Sequence, residues 1–474
     1  MPRRVAISTL NASTIDILNT IRANASGEYQ SLVPTVTSET DIPKVGEVLY
    51  GYPALANQFL SALINRIALV KVKSAVFNNA YKELKKGYLE FGETVEEVFV
   101  NIAKAREFSA EKAPARELKR SIPDVRSAMH AMNWRVQYPV TIQDEDLRMA
   151  FLSAQGVQDL IAKIVDSVYT GAEYDEYLLF KYMLIKAISH GKIYPVSVNV
   201  SSDIKNAAKA FRGASNQMTF MNTKYNNAGV HTTTPKEDQY IFMDASFNAE
   251  YDVDVLSAAF NMDKATYSGH LKLIDDWTTF DNERFAEIRA NSDMLEEVTA
   301  TELGLCADVV AVLVDKEWFQ FYDNQNKFTE KYVASGEYWN YFYNVWKTVS
   351  SSPFSNAIVF VKNSATISAP STLTLTVLDK EVSSEATILT CSVESSSASL
   401  QPNEARFIQT EDAVEDCIAV HPYGAIVIPT LSPAVTYVPY VELGGYTYKQ
   451  NSDNPTALGA STSQGATITL NKQS

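Results

Sequence analysis

The feature that most limits the fold of this chain is a helical pattern of more than thirty residues near its middle. The segment VQDLIAKIVDSVYTGAEYDEYLLFKYMLIKAISHG begins at Val157 and ends at His190, where the following Gly191 is placed to terminate a helix. Its apolar face includes Leu160, Ile161, Ile164, Val165 and Val168. Gly171 is expected to interrupt it. At about 1.5 Å per residue the helix would span about 50 Å, which suits a structural spine better than an active-site wall.

The segments around this helix differ from one another in pattern. Residues 1–65 combine short helical patterns with a proline-containing loop and indicate an arm. Residues 70–140 are dense in both charge signs and poor in large apolar residues, so we interpret them as an extended excursion. Residues 192–345 mix apolar strands with helices and indicate an α/β body. From about Asn363 onward, short Ser- and Thr-rich strands predict an all-β domain.

An aromatic stretch, YWNYFYNVW, precedes the last apolar strand of the body. Rings in such a cluster bury large areas in cores or subunit interfaces, or they stack on a ligand. The polar partners that a ligand pocket requires are not evident in the sequence, so we expect core packing with some rings at a subunit contact. The rings assigned to this structural core are Trp318, Tyr338, Trp339, Tyr341 and Trp346.

Composition and motifs exclude several classes of protein. A net charge of −15 argues against a general nucleic-acid binder. The three cysteines form no CxxC pair, which excludes a cysteine-built zinc site. The common hydrolase, nucleotide and dinucleotide motifs do not occur, and neither a signal peptide nor a membrane-spanning run is visible. We therefore expect a non-enzymatic protein without a cofactor or metal, made in a cytoplasm.

Isolated acidic and basic groups allow both functional and structural interpretations. The acids at 144–146 suit a cation site or acid–base chemistry, but they precede a helical run, where capping is the simpler role. Asp275 and Asp276 end a strand and suit a turn. Lysines at 82–86 have aromatic neighbours, as in nucleic-acid sites, yet the acids around them favour a partner-facing loop.

In its order of segments the chain resembles the Hong Kong 97-type fold of tailed-phage capsid proteins. In its sequence it resembles the major capsid proteins of small short-tailed phages of the phi 29 kind. The stretches that carry this resemblance occur in the family's order over roughly residues 45–362: KKGYLEFGETVEEVF, TIQDEDLRMAF, AEYDEY, YDVDVLSAAFNM with LKLIDDW, and AVLVDKEWFQFYDN followed by GEYWNYFYNVWKTVSSSPFSNAIVFV.

The resemblance implies an α+β architecture of N-arm, E-loop, P-domain with a long spine helix, and A-domain, followed by a C-terminal all-β domain. An immunoglobulin-like fold is one interpretation of that last domain. The implied segments are residues 1–70 for the N-arm, 71–135 for the E-loop region, 136–191 for the P-domain with the spine helix, 192–345 for the A-domain and remaining P-domain, 346–363 for the closing P-domain strand and 364–474 for the C-terminal domain.

The implied function is self-assembly through pentamers and hexamers into an icosahedral or prolate shell around phage double-stranded DNA, which is held without sequence-specific binding. The implied partners are further copies of the chain, a scaffolding protein, a portal at one vertex, and a head fibre or decoration protein. The shell would be assembled in the host cytoplasm and would contact no membrane. The residues expected to pair with adjacent subunits through the E-loop are Lys82, Lys85, Lys86, Glu96, Glu97, Arg116, Lys119 and Arg120.

Two other functions fit parts of the pattern. A carbohydrate-binding or carbohydrate-active protein would use the aromatics and carboxylates of the body with the β-rich tail as a module, but such proteins are usually exported. A phage portal or tail protein would also assemble, into twelve-fold rings instead of closed shells.

Overall fold

The computed structural model describes most of the chain. The described residues are 14–41, 43–45, 48, 77–89, 94–103, 105, 107–111, 113–117, 123–143, 154–199, 205–250, 270–336, 338–362, 368–396, 399–410, 425–452 and 454–473. They fall into two compact units, residues 1–74 with 145–164, and residues 75–144 with 165–474. The acids at 144–146 and the boundary near Asn363 lie outside the described residues.

Eight α-helices are found in the described part of the chain: α1 Thr14–Asn24, α2 Gly27–Leu32, α3 Ala113–Arg116, α4 Ala154–Ser189, α5 Lys205–Met218, α6 Ala245–Glu250, α7 Ala286–Asn291 and α8 Ala300–Cys306. Its strands are β1 Gly87–Tyr88, β2 Thr94–Val100, β3 Val125–Ala131, β4 Trp134–Gln143, β5 Tyr194–Val198, β6 Gln239–Asp244, β7 Leu271–Ile274, β8 Val309–Asp315, β9 Phe319–Val333, β10 Tyr338–Ser351, β11 Ala357–Lys362, β12 Thr372–Val382, β13 Ala386–Glu394, β14 Arg406–Thr410, β15 Ala425–Pro429, β16 Thr436–Leu443, β17 Tyr446–Lys449 and β18 Thr467–Lys472.

The first unit contains α1 and α2, which pack around a small cluster of Tyr29 with three valines. Arg22, in the last turn of α1, donates to the carbonyl oxygen of Val33 at 2.7 Å, so one side chain closes the α1–α2 turn. The Asn19 amide both donates to and accepts from the backbone of Val36. These contacts let a short helical pair hold together although its core is small.

Helix α4 agrees closely with the predicted spine. It has 36 residues and runs without a break through Gly171, so the predicted interruption there is wrong. It ends in a Schellman motif, because the backbone N–H of Lys192 donates to Ala187 and that of Gly191 donates to Ile188. Gly191 has a φ of +64°, as a helix-terminating glycine should.

The second half of α4 lies in the largest core, between two sheets. One sheet has the order β1-β9-β10-β4, and the other has the order β5-β11-β8-β6-β7. Phe180 stacks on Phe321 of β9 at a centroid distance of 4.2 Å, and the same core includes residues of β6, β8 and β11. Helix α5 covers the opposite face of the five-stranded sheet, where Phe211 meets Phe360. Both faces of this sheet are therefore buried, which explains why β8 is apolar almost throughout.

The described residues from 368 to 473 contain strands and no helix. Seven strands in this part of the chain form an antiparallel sheet of order β14-β16-β17-β18-β12-β13-β15 around a separate hydrophobic core. The mixture of helices and strands confirms the α+β class. An extended two-stranded hairpin, a long helix and a sheet-based body, in that chain order, are what the Hong Kong 97-type fold requires.

Candidate assembly surfaces

The two-stranded hairpin formed by β2 and β3 has two faces of different character. Alternate residues of paired strands point to opposite faces. One face, here called the inner face, carries Val95, Glu97, Phe99, Arg126, Ala128 and His130. The other, here called the outer face, carries Thr94, Glu96, Val98, Val100, Val125, Ser127, Met129 and Ala131.

The inner face packs on the body of the same chain. Phe99 stacks on Phe354 at 5.5 Å. His130 lies with Nδ1 2.8 Å from the Ser350 hydroxyl and with Nε2 3.2 Å from a Glu97 oxygen. The other Glu97 oxygen accepts from the Ser352 hydroxyl at 2.9 Å. The hairpin is thereby attached to the end of β10 and to the segment that connects β10 with β11.

The outer face is exposed and contains four large apolar side chains, which are distributed over three cross-strand rows. Met129 is 76% exposed, Val100 62%, Val98 56% and Val125 40%. Val100 lies opposite Val125, and Met129 lies opposite Glu96. Val98 lies diagonal to both Val125 and Met129 on this face, so the four side chains form a cluster of exposed apolar groups, with Ser127 and Glu96 in the same rows.

The predicted contact lysines find carboxylates inside their own chain. The Lys82 ammonium lies 2.7 Å from Glu173, and that of Lys86 lies 2.6 Å from Glu317. Lys85 pairs with Glu176 at 3.0 Å and with Asp323 at 2.6 Å. These three lysines follow one another at the entry to the hairpin, where helix α4 and strand β9 supply the acids. Within the single chain these lysines therefore have intrachain partners, and their pairing with adjacent subunits stays a prediction.

The other predicted contact residues are distributed differently. Glu96 is exposed on the outer face, whereas Glu97 binds His130 and Ser352 on the inner face. Arg116 ends helix α3. Lys119 and Arg120 lie outside the described residues.

Lys85 belongs to a buried network of four charges that the sequence did not reveal. Lys347 of β10 pairs with Glu176 and, at 2.9 Å, with Asp323, so each carboxylate serves two lysines. Asn79 donates to the second oxygen of Glu176 at 2.8 Å. Burial raises the pKa of Asp323, but Lys347 and Lys85 outweigh that effect and hold its pKa below the usual range. Two cations and two anions thus join α4, β9, β10 and the hairpin entry at one point.

Two further buried charges on α4 are also paired. Asp175 accepts from Arg284 Nε at 2.6 Å and from the Tyr138 hydroxyl at 2.7 Å. Burial nonetheless leaves the pKa of Asp175 raised. Lys181 donates to Asp275 at 2.7 Å. The motif AEYDEY, quoted for the family resemblance, contains Asp175 and Glu176, so acids within an otherwise apolar helix were the available signal for these sites.

The aromatic stretch forms strand β10, and its rings divide between the two faces of a sheet. Trp318, in the turn before β9, is buried, but Tyr338, Trp339, Tyr341 and Trp346 are half-buried. The expectation that these four rings are core is therefore wrong. They alternate along a strand paired with β4 and β9, and no single face can bury them all.

The rings on each face of β10 have their own partners. Trp339 packs with Tyr332 at 5.1 Å, and Tyr343 packs with Tyr169 of α4 at 4.8 Å. On the opposite face the Arg135 guanidinium lies 4.2 Å over the Trp346 ring. The stretch thus acts as a sheet surface that meets the spine helix on one side.

A cavity of about 770 Å³ lies between the end of α4 and the C-terminal sheet. Its lining includes His190, Lys192, Cys391, Gln401 and Glu404. Burial raises the pKa of the Cys391 thiol to about 11, so this group is protonated at neutral pH and is a poor nucleophile. The Lys192 ammonium donates to the carbonyl oxygen of Pro402 at 2.9 Å, which makes it part of the attachment of the C-terminal sheet.

Metal and membrane sites were also sought. Among the residues that the structure describes, no three or more His, Cys, Asp or Glu side chains are arranged to hold a metal ion. Within that same part of the chain, no helix is long and apolar enough to cross a bilayer.

Comparison with known proteins identifies the family. The sequence model of the Phi29-like phage major capsid protein family matches residues 18–361. The major capsid protein of Bacillus phage B103 is 35% identical over 352 residues, which cover 73% of this chain and 72% of that protein. The major capsid protein of Bacillus phage PZA is 32% identical over the same shares of the two chains.

A solved structure gives a weaker likeness. The capsid structure of Staphylococcus phage Andhra has a TM-score of 0.49 and 15% identity, and the match covers 63% of this chain and 88% of that one. That likeness is too low to add to the argument, which rests on the sequence matches. By those matches, this chain belongs to the Phi29-like phage major capsid protein family.

Proposed function

We propose that this chain is the major capsid protein of a phage and that copies of it assemble into the virion shell through the outer face of the β2–β3 hairpin. The observation that carries the contact is the division of the hairpin, whose inner face is bound to its own body while its outer face exposes Val98, Val100, Val125 and Met129. A self-assembling subunit must keep such a surface unfilled until it meets another copy.

The energetics favour burial of this face between copies. Each apolar side chain that leaves water contributes about 1–3 kcal/mol when fully buried. Four such side chains in one patch are a modest contact for a pair of subunits, but a shell repeats the contact at every neighbouring pair. The exposed Glu96 at the edge of the patch supplies a charge that fixes register more than affinity.

The finer features of the proposal come from the family. We assign the hairpin region at 71–135 to the E-loop, helix α4 to the P-domain spine, the body at 192–345 mainly to the A-domain, and residues 364–474 to a C-terminal β-domain. Pentamers and hexamers would close an icosahedral or prolate shell around double-stranded DNA. A scaffolding protein, a portal at one vertex and a head fibre or decoration protein would complete the particle.

Ion pairs between subunits remain a proposal for a reduced set of residues. Lys82, Lys85, Lys86 and Glu97 have partners within the chain, so the favoured candidates are Glu96, Arg116, Lys119 and Arg120. The carbohydrate-related alternative has no support in the family, whose members are structural capsid proteins, and we propose no enzymatic activity.

The test is substitution Met129→Glu, which places a charge at the most exposed point of the apolar patch. We expect the purified variant to unfold at the wild-type temperature but to yield few closed shells when co-expressed with the scaffolding protein. Shells are counted by negative-stain microscopy and by sedimentation. Leu431→Glu, at a 97% exposed position in a turn of the C-terminal sheet, is the matched control and should assemble normally.

Normal shell yield from Met129→Glu would overturn the role of the outer face. Failure of wild-type chains to form rings, sheets or shells with scaffolding protein would overturn the capsid function itself. Equal loss of assembly in Met129→Glu and Leu431→Glu would show that the hairpin face has no special part in assembly.

A further inference from the structure

Asp124, at the root of the hairpin just before β3, links the hairpin to the C-terminal sheet. One of its oxygens accepts from Arg406 Nη1 of β14 at 2.8 Å, and the other accepts from the Asn101 amide at 3.0 Å. Arg126 of β3 donates more weakly to Asp124 at 3.4 Å. The contact between Asp124 and Arg406, which are 282 positions apart in the sequence, therefore attaches the base of the hairpin to the C-terminal sheet.

The two arginines of this cluster are deeply buried. The side chains of Arg126 and Arg406 are 2% and 3% exposed. Glu442 of β16 lies 3.9 Å from Arg126, at the limit of an ion pair. Nη1 of Arg126 and both Nε and Nη2 of Arg406 are buried without an acceptor. Asp124 is thus the carboxylate in closest contact with both guanidinium groups, and the cluster depends on it.

A neighbouring loop reinforces the same junction. Gly229 has a φ of +64°, and a Cβ there would come within 2.8 Å of the carbonyl oxygen of Glu442. The Nδ1 atom of His231, in the same loop, lies 3.0 Å from the side-chain oxygen of Asn101. The hairpin root, this loop and the C-terminal sheet therefore meet in one closely packed region.

We infer that Arg406 is a positioning residue for assembly: acting through Asp124, it fixes the root of the hairpin and thereby the direction in which the outer face is presented. This inference rests on the proposed function of that face. The C-terminal sheet lies beyond residues 18–361, which match the family. By this inference, that sheet helps to control the outer face of the hairpin, which lies within the matched residues.

The effect of the contact between Arg406 and Asp124 can be measured apart from the stability of the C-terminal sheet. That sheet has its own core, and a second attachment joins it to the body where Gln401 donates to Gly191 and Lys192 donates to Pro402. Loss of Arg406 should therefore leave the sheet folded and attached, while the hairpin root loses its fixed position.

The experiment uses Arg406→Met in the full-length, unassembled chain. Hydrogen exchange of the amides in β2 and β3 should become at least about 10-fold faster, while exchange in β12 and β13 stays at the wild-type rate. Shell yield with scaffolding protein should fall several-fold. Lys380→Met is the matched control, because the Lys380 ammonium donates to carbonyl oxygens of its own domain, at Ala460 and Thr462.

A second pair of variants guards against simple misfolding. Arg406→Lys shortens the reach to Asp124, so it should accelerate hairpin exchange, and adding Asp124→Glu should restore part of the protection. Such rescue measures coupling between the two residues. It would not occur if Arg406 only contributed to the general stability of its sheet.

The outcomes separate this inference from the proposed function. Wild-type hairpin exchange and shell yield in Arg406→Met, or no rescue in the double variant, would overturn the positioning role. Faster hairpin exchange in Arg406→Met together with normal shells from Met129→Glu would keep the positioning contact but overturn the outer face as the assembly surface.

Discussion

The second half of helix α4 and the outer face of the β2–β3 hairpin break, in opposite ways, the rule that apolar side chains are buried and charged side chains are exposed. The helix buries Asp175, Glu176 and Lys181 in the main core, and each is paired with an opposite charge. The hairpin instead exposes apolar side chains such as Met129. Charges can be buried where the chain supplies their partners, whereas we propose that the apolar face is covered by another copy.

This difference separates folding from assembly. A buried ion pair contributes little net stability but makes one arrangement of its elements far better than the alternatives. The network at Glu176 joins the spine helix, two strands and the hairpin entry within one subunit. We therefore expect the subunit to hold its shape before assembly, with the hairpin face already positioned for the contact proposed above.

Removing one member of the network should have the largest effect on the folded subunit. Lys347→Met leaves Glu176 and Asp323 with Lys85 as their remaining cation, and we expect a loss of about 3–5 kcal/mol in the free energy of unfolding. Denaturant titration of the unassembled chain measures it. Lys331→Met, at an exposed position on β9, is the control and should change stability by less than about 0.5 kcal/mol. A small loss from Lys347→Met would mean that the network is open to water.

The aromatic rings test the distinction between core and surface. Trp318→Ala removes a buried ring and should cost about 3–5 kcal/mol of unfolding free energy. Trp339→Ala removes a half-buried ring on β10 and should cost about half as much. Equal costs in denaturant titration would show that Trp339 is fully buried. A neutral Trp339→Ala that also lowers shell yield would place its ring at a subunit contact.

Elements with a strong period were predictable from the sequence. The predicted helix at 157–190 is observed at 154–189, and apolar runs such as VVAVLVD form strands in the expected order. Gly171 does not break the helix because packing overrides its weak propensity: Arg284 donates to its carbonyl oxygen at 3.4 Å and would lie 3.2 Å from a Cβ at this position.

Other features depended on pairings that are distant in the sequence. The number of rings in the aromatic stretch favours a core, whereas their alternation favours a strand with two faces. The acids near the lysines at 82–86 in the sequence favour a partner-facing loop, whereas the acids that these lysines meet in the structure, from Glu173 to Asp323, lie far along the chain. Local patterns cannot show which distant carboxylate a lysine will meet.

The end of the spine helix gives a prediction of intermediate size. Gly191→Ala forces a side chain into a left-handed conformation and against the backbone of Ser399, so we expect a loss of about 2 kcal/mol or more in unfolding free energy. Gly213→Ala, inside α5 with open space around it, should instead stabilise by about 0.5–1 kcal/mol. Thermal unfolding of both variants gives the comparison. The same sign for both would contradict the tight junction between α4 and the C-terminal sheet.

The smallest expected effect concerns acid. Glu302 caps α8 through Thr299 and accepts from Lys186 of α4 at 2.7 Å. Burial opposes the charge of Glu302, but Lys186 and Thr299 outweigh it and lower its pKa from 4.5 to about 2. Because the folded state holds this proton less tightly than the unfolded state, the contribution is fully present above about pH 4.5 and is lost as the pH falls towards about 2.

The variant Glu302→Gln isolates this contribution. At pH 7 it should be about 1 kcal/mol less stable than the wild type, and the difference should shrink as the pH is lowered from 5 to 3. Denaturant titration at several pH values measures both curves. A difference that stays constant with pH would mean that Glu302 acts by shape and hydrogen bonding alone. In that case the charge of Glu302 would not help to hold the end of α4 in place. The contrast between a helix with paired charges and a hairpin with an exposed apolar face would then apply only to the network around Glu176.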